Sequence, residues 1–344
     1  MAIRELWKRR IGLCFGLLLA VLACVAYYAA RLLSADGVDG PWRETGRITA
    51  HGDRVNSVCF SRDGKWLATG SYNDKAARLW EVSSGQLVRT FTGPTHPVSS
   101  VALSPDGTLL AAGTHEPSIR LWRLSDGKLL HVPVQVGEFG KISAKVAFSP
   151  DGKVLATTAE DNLVRLFAVA DGQPLRALRG HTHYVLDLAF SPDGKVLATG
   201  GADGTVRIWS VSQGEPLQVL RGGAGTLAFT RDGTLLATGA GGGRICVWRT
   251  SDWNVVQRIW YGNPVCDVAF SPDGKLLAVC GSSDVWGSVS LSLWSVADGK
   301  KVQELVHERV EAHAVAFAPQ GRLLAAGCTD GTIRLFRPGG PTPR

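Results

Sequence analysis

An all-β fold, a seven-bladed β-propeller, is predicted by three observations in this sequence. A phrase reading Phe/Leu-Ser-Pro-Asp-Gly, or a close variant, ends at Gly64, Gly107, Gly152, Gly194, Gly233, Gly274 and Gly321. Its copies stand 39 to 47 residues apart, a period that marks one supersecondary unit repeated many times rather than one large core. Each copy divides into four strand-length segments separated by turns, with no helical periodicity.

The chain before the repeats is a different object. Residues 11–30 carry no charge and are almost wholly apolar. About twenty helical residues span the roughly 30 Å of a bilayer's hydrocarbon core, so this stretch is expected to be a transmembrane helix acting as a signal anchor. Arg4, Lys8, Arg9 and Arg10 flank it on the amino side. The positive-inside rule then leaves residues 1–10 as a cytoplasmic tail and puts the propeller across the membrane. Two alternatives compete. A cleaved signal peptide has a shorter apolar core and a small-residue cleavage site. A bacterial lipoprotein box is suggested by Val21-Leu22-Ala23-Cys24, with anchoring at Cys24, although Leu22 fits its position poorly. Residues 31–41 read as a linker, 42–337 as the propeller and 338–344 as a disordered tail.

The fourth copy shows how each unit is built. Val185 to Phe190 is an apolar stretch of strand length, and Ser191-Pro192-Asp193-Gly194 turns the chain. Lys195 to Thr199 forms the second strand, Ala202-Asp203-Gly204 the second turn, and Thr205 to Ser210 a third strand with alternating large side chains. Ser212-Gln213-Gly214 turns again, and Glu215 to Leu220 is the fourth strand. Seven such four-stranded units make a propeller.

From Trp42 to Arg337 the chain resembles the WD40-repeat propeller family, and looks like a bacterial, membrane-anchored member of it. The third strands end in Arg78-Leu79-Trp80, Arg120-Leu121-Trp122, Arg165-Leu166-Phe167, Arg207-Ile208-Trp209, Cys246-Val247-Trp248, Ser292-Leu293-Trp294 and Arg334-Leu335-Phe336. The family's usual Asp after that aromatic is missing in every copy, and two copies carry Phe in place of Trp. The resemblance implies a buried His–Ser/Thr–Asp–Trp hydrogen-bond tetrad that locks a blade. Only the fourth copy matches it fully, with His181, Thr199, Asp203 and Trp209; the first comes close with His51, Thr69, Asp74 and Trp80. These residues are read as structural, not catalytic. After Phe336 too little chain remains for a last fourth strand, whereas residues 42–49 precede the first repeat and have no blade of their own. The simplest closure places this amino-terminal segment as the outer strand of the seventh blade, as in the family.

Spacing separates two faces. The third-strand aromatic is always 5 residues before the next turn position, while the distance from the first turn to that aromatic reaches 20 in the sixth copy against 15 in most others. The links between copies vary as well. In an up-down sheet the first and third turns share one face, so every length change falls on the opposite face. Function tends to reside in variable loops held by a rigid scaffold. The candidate protein-binding face therefore carries Tyr72, Phe139, Tyr184, Tyr261, Asp284 and Trp286, the last two in a sixth-copy insertion and Phe139 in an extended link. For Trp286, folding back onto the sixth blade as local core is an equal alternative.

Composition narrows the classes of function. The formal charge is +7, but residues 1–34 contribute +4 of it and the remainder only +3. The propeller has no basic run interleaved with aromatics, which argues against nucleic acid as a partner. The arginines repeated at one strand position read as blade packing or solvation. The seven cysteines follow no metal spacing, and an odd five in the propeller argue against a disulfide framework, which suits an oxidising compartment awkwardly. Nucleophile elbow, P-loop and zincin motifs are absent from the sequence. Gly239-Ala240-Gly241-Gly242-Gly243 reads as a glycine-rich turn, with no helix after it to hold a phosphate. No cofactor or metal is implied. The expectation is a non-enzymatic, membrane-anchored scaffold that binds protein. The competing expectations are a ligand-binding or hydrolytic envelope propeller using its central channel, and a component of an envelope assembly machine or signalling sensor.

Overall fold

A computed structural model describes residues 40–115, 119–130, 145–159, 161–223, 225–282, 290–306 and 310–339. The expected transmembrane helix, the cysteine at position 24, Phe139, Asp284 and Trp286 all lie outside the described residues. Among the described residues, no helix is long and apolar enough to cross a membrane.

The described chain forms seven four-stranded antiparallel sheets. Six are continuous in sequence, covering 55–91, 98–130, 146–178, 185–221, 226–260 and 265–306, with strands in simple meander order. The seventh is composite. Ala312–Phe317, Leu324–Cys328 and Thr332–Gly339 supply three strands, and Gly40–Thr49 pairs with the last of them as the outer strand. The closing strand thus begins inside the stretch that reads as linker, because backbone pairing continues through residues whose Gly and Pro composition suggests a loop.

The core lies between the blades. Each of seven apolar clusters straddles one pair of neighbours, including Ala325 and Ile333 of blade seven with Val55, Leu67 and Trp80 of blade one. Trp42 of the closing strand joins Phe317, Phe336 and Leu293 in the cluster between blades six and seven, its ring meeting Phe317 edge-on at 5.5 Å. Its backbone is also clasped by blade six. Gln303 accepts the Trp42 N–H at 2.8 Å and donates to the Trp42 carbonyl at 2.7 Å.

Each Ser-Pro-Asp-Gly turn is internally bonded. Ser191 Oγ donates to Asp193 Oδ1 at 2.6 Å, and that same oxygen accepts the Lys195 N–H at 3.1 Å. These bonds, the serine's first, hold the Asp193 carboxyl below its usual range. The turn glycine has φ of +70°, a region where a side chain would be strained, and all seven first-turn glycines share it. The turns also touch one another. Pro105, Pro150, Pro192 and Pro272 sit against Gly152, Gly194, Gly233 and Gly321 of the following blade. Gln320 closes the circle by donating to the Asp63 carbonyl at 2.7 Å. Turns packed in a rosette cannot change length independently, which is a physical reason for the uniform spacing on this side.

Candidate protein-binding surfaces and the interior that holds them

The polar interior of the blades is built on one hydroxyl. In blade four, Trp209 Nε1 donates to Thr199 Oγ1 at 2.8 Å, and His181 Nε2 lies 2.8 Å from the same oxygen. His181 Nδ1 is 2.9 Å from Asp203 Oδ2. One direction of donation satisfies all of these contacts: indole to hydroxyl, hydroxyl to Nε2, and Nδ1–H to carboxylate. Burial pulls the His181 pKa down, favouring the neutral ring. Burial would raise Asp203, but the Thr205 hydroxyl, the Thr182 N–H and His181 together hold it well below the usual carboxylate range. Every polar atom of this set is occupied within the blade.

Blade one forms the same set. His51 reaches Asp74 at 2.7 Å and Thr69 at 2.8 Å, and Trp80 donates to Thr69 at 3.0 Å. The extra turn residue that blurs the match in sequence falls between Thr69 and Asp74; after Asp74 the two turns run in step, with Lys75 at a φ of +52° where blade four has Gly204 at +77°. Other blades keep fragments. Trp248 donates to Thr238, and Trp294 donates to Ser292, because Val279 stands where blades one, three, four and five have threonine.

A second polar ring lines the inner strands, and sequence inspection overlooked it. Seven residues before each turn glycine stand Ser57, Ser100, Lys145, Asp187, Thr226, Asp267 and Ala314. A β-bulge sits just before this position in five blades, at Val55/Ser57, Val98/Ser100, Val185/Asp187, Val265/Asp267 and Ala312/Ala314. Bulges re-aim side chains, and here the hydroxyls and carboxylates bridge to neighbouring blades. Ser57 accepts from Val101 N–H at 3.1 Å, Asp187 from Leu227 N–H at 2.8 Å and Asp267 from Val315 N–H at 3.0 Å. Thr226 donates to Asp267 at 3.2 Å. Burial raises both carboxyls, Asp267 up to about 6, against a smaller opposing effect from the Lys145 charge. The signal was available in the fixed offset from the turn glycine.

The described candidate residues of the variable face, Tyr72, Tyr184 and Tyr261, belong to different blades. Tyr72, 37% exposed, follows the second strand of blade one; Arg54 lies 4.8 Å from its ring centre and His115 of blade two meets it edge-on at 5.9 Å. Tyr184, 36% exposed, opens blade four and meets His183 edge-on at 4.5 Å. Tyr261 packs against the apolar cluster between blades five and six, and burial pushes its hydroxyl pKa up. It offers less surface than the other two.

The family model described as the IFT122 first beta-propeller matches residues 143–340, and that described as WD domain, G-beta repeat matches residues 42–81 and 85–123. The chain belongs to the WD40-repeat β-propeller family. It is similar to a guanine nucleotide-binding protein subunit beta of Schizosaccharomyces pombe, 39% identical over 71 residues, which is 21% of this chain and 23% of that protein. An uncharacterized WD repeat-containing protein of Synechocystis is 37% identical over 75 residues, covering 22% of this chain and 21% of that one. Small ribosomal subunit protein RACK1 of Caenorhabditis elegans is 32% identical over 93 residues, covering 24% and 29% respectively. The matched stretches span less than a third of each of these relatives.

Proposed function

We propose that the chain is a non-enzymatic scaffold, tethered to a membrane by residues 11–30, that binds a protein through its variable loop face. One observation carries the binding face. Length variation is confined to the side opposite the rosette, and there Tyr72 and Tyr184 stand exposed, each with a neighbouring histidine. Aromatic side chains with a polar tip are favoured anchors at interfaces. Phe139, Asp284 and Trp286 belong by sequence to loops of the same face and are included in the proposal. Membership of a family typical of protein-interaction scaffolds supports it. A channel-ligand reading draws on the half-buried Asp187 and Asp267, but both carboxylates are engaged by backbone N–H groups of the next blades, which favours the scaffold.

The test is site-specific photocrosslinking in intact membranes. A photoreactive amino acid at Tyr72 or Tyr184 is expected to give a discrete protein adduct, and one at Lys153 or Lys195 on the rosette is not. Equal adducts from both faces, or none from the tyrosines, would overturn the face. Protease access to the propeller in sealed vesicles, with and without residues 1–30, tests tether and side together.

A further inference from the structure

We infer that the rim between blades four and five is a docking surface for an acidic, extended peptide segment of a partner protein. The inference rests on reading the chain as a protein-binding scaffold, and assigns a partner chemistry to one sector of its rim. It begins from a break in the pattern of charge. In blades one, three and seven, a third-strand arginine is paired within its own blade: Arg78 with Asp74 at 2.7 Å, Arg165 with Asp161, and Arg334 with Asp330 at 4.0 Å. These guanidiniums serve the fold.

Blade five lacks that arrangement. Its second turn, Ala240 to Gly243, contains no carboxylate. Arg244 stands where blades four and seven have Thr205 and Thr332, whose hydroxyls donate to the blade's own aspartate. Cys246 takes the third-strand arginine position, and the guanidinium appears across the ladder instead, at Arg258 on the outer strand. Arg244 lies opposite Trp260 in the same ladder, its guanidinium 6.0 Å from the indole centre. Trp260 is 63% exposed, the most exposed large apolar side chain among the described residues. Cys246 Sγ reaches the Gly222 carbonyl at 3.0 Å, which brings the link from blade four against the same junction. Arg244 and Arg258 are both exposed, and neither forms an ion pair with a described residue.

Two exposed guanidiniums on the same sheet face as one exposed indole suit carboxylates, which arginine binds through paired N–H groups. The strand Val255–Trp260 is also the outer edge of its sheet, paired on one side only. An extended segment laid along it meets Val256, Arg258 and Trp260 in alternation, all exposed. Nucleic acid fits less well, because affinity for duplex backbones is built from many phosphate contacts, about 6–10 in a typical case, and this junction offers two cations.

The test uses the full-length chain in detergent and a fluorescein-labelled peptide rich in Glu and Leu, read by fluorescence anisotropy. Saturable binding is expected, weakened by added salt. Arg244→Glu with Arg258→Glu is expected to weaken it about tenfold or more, and Trp260→Ala to weaken it as well. Arg123→Glu with Arg249→Glu, on the rosette side, should leave it unchanged. Should the charge-reversed chain fail to fold, Arg244→Gln with Arg258→Gln gives the same reading. The inference is overturned by non-saturable binding to the wild type, by equal losses in both pairs, or by tighter binding of an oligonucleotide or of anionic vesicles. Loss of peptide binding with tyrosine crosslinks retained would sink this inference and leave the scaffold reading standing.

Discussion

Three side chains hold opposite lessons about buried polarity. Trp209 is almost completely buried and its N–H has one acceptor, Thr199. Trp209→Phe removes that donor and opens space, and should cost about 2 kcal/mol or more in urea unfolding while the blade persists, since blade three already carries Phe167. His181 is held neutral by burial, so the folded state resists its protonation. Its folded pKa is lowered, so the stability it supports is present above its usual pKa and declines as pH falls below it. Asp267 works in the opposite sense. Its folded pKa is raised to about 6, so the folded state binds the proton more tightly than the unfolded chain. Stability from this group is full at low pH and falls as pH rises through about 6, by on the order of 1–3 kcal/mol. Asp267→Asn should therefore gain relative to wild type between about pH 4 and pH 7. Unfolding curves for the two chains that keep a constant separation across that range would rule this out.

At the level of the element, the turns were the most legible part of the sequence. Ser-Pro-Asp-Gly names its own geometry, with a hydroxyl and a carboxylate to bond the backbone and a glycine for positive φ. The second turns were harder to read because their chemistry varies. Lys75 occupies a left-handed φ that Gly204 fills in blade four, and an exposed lysine gives no sequence sign of it. Lys75→Gly is expected to stabilise the protein by about 1 kcal/mol, the strain of a non-glycine residue in that region, partly offset by unfolded-chain entropy. A lower melting temperature would contradict it. The inner ring was missed for a different reason. Ser57, Lys145, Asp187 and Asp267 share no chemical type, and the bulge that precedes the position in five blades is a feature of strand pairing that the sequence does not spell. Likewise Trp260 reads in sequence as an ordinary strand aromatic. Its exposure depends on the outer strand being an edge, which is a fact of tertiary structure.

At the level of the whole molecule, seven blades and their closure were legible because repetition multiplies a weak local signal and the leftover segment had one vacant place to fill. The exposure of the candidate face was not legible, since Tyr72 and Tyr184 stand open while Tyr261 packs against the cluster between blades five and six, a difference set by tertiary contacts. Closure concentrates energy in few side chains. Trp42 is buried between blades six and seven, and Trp42→Ala should cost about 3–5 kcal/mol. Its effect should be larger than that of Gln303→Ala, which removes only the clasp on the Trp42 backbone, and equal losses in thermal unfolding would argue that the indole adds nothing. The composite seventh blade also sets an order in time. Thr45 bonds the Leu335 carbonyl across 290 residues of chain. During synthesis the closing strand emerges before every blade, yet its partner is made only after all the others. Six sheets can form locally while this one waits, so the last event in folding is the capture of the earliest-made strand, and the ring has a single slow seam.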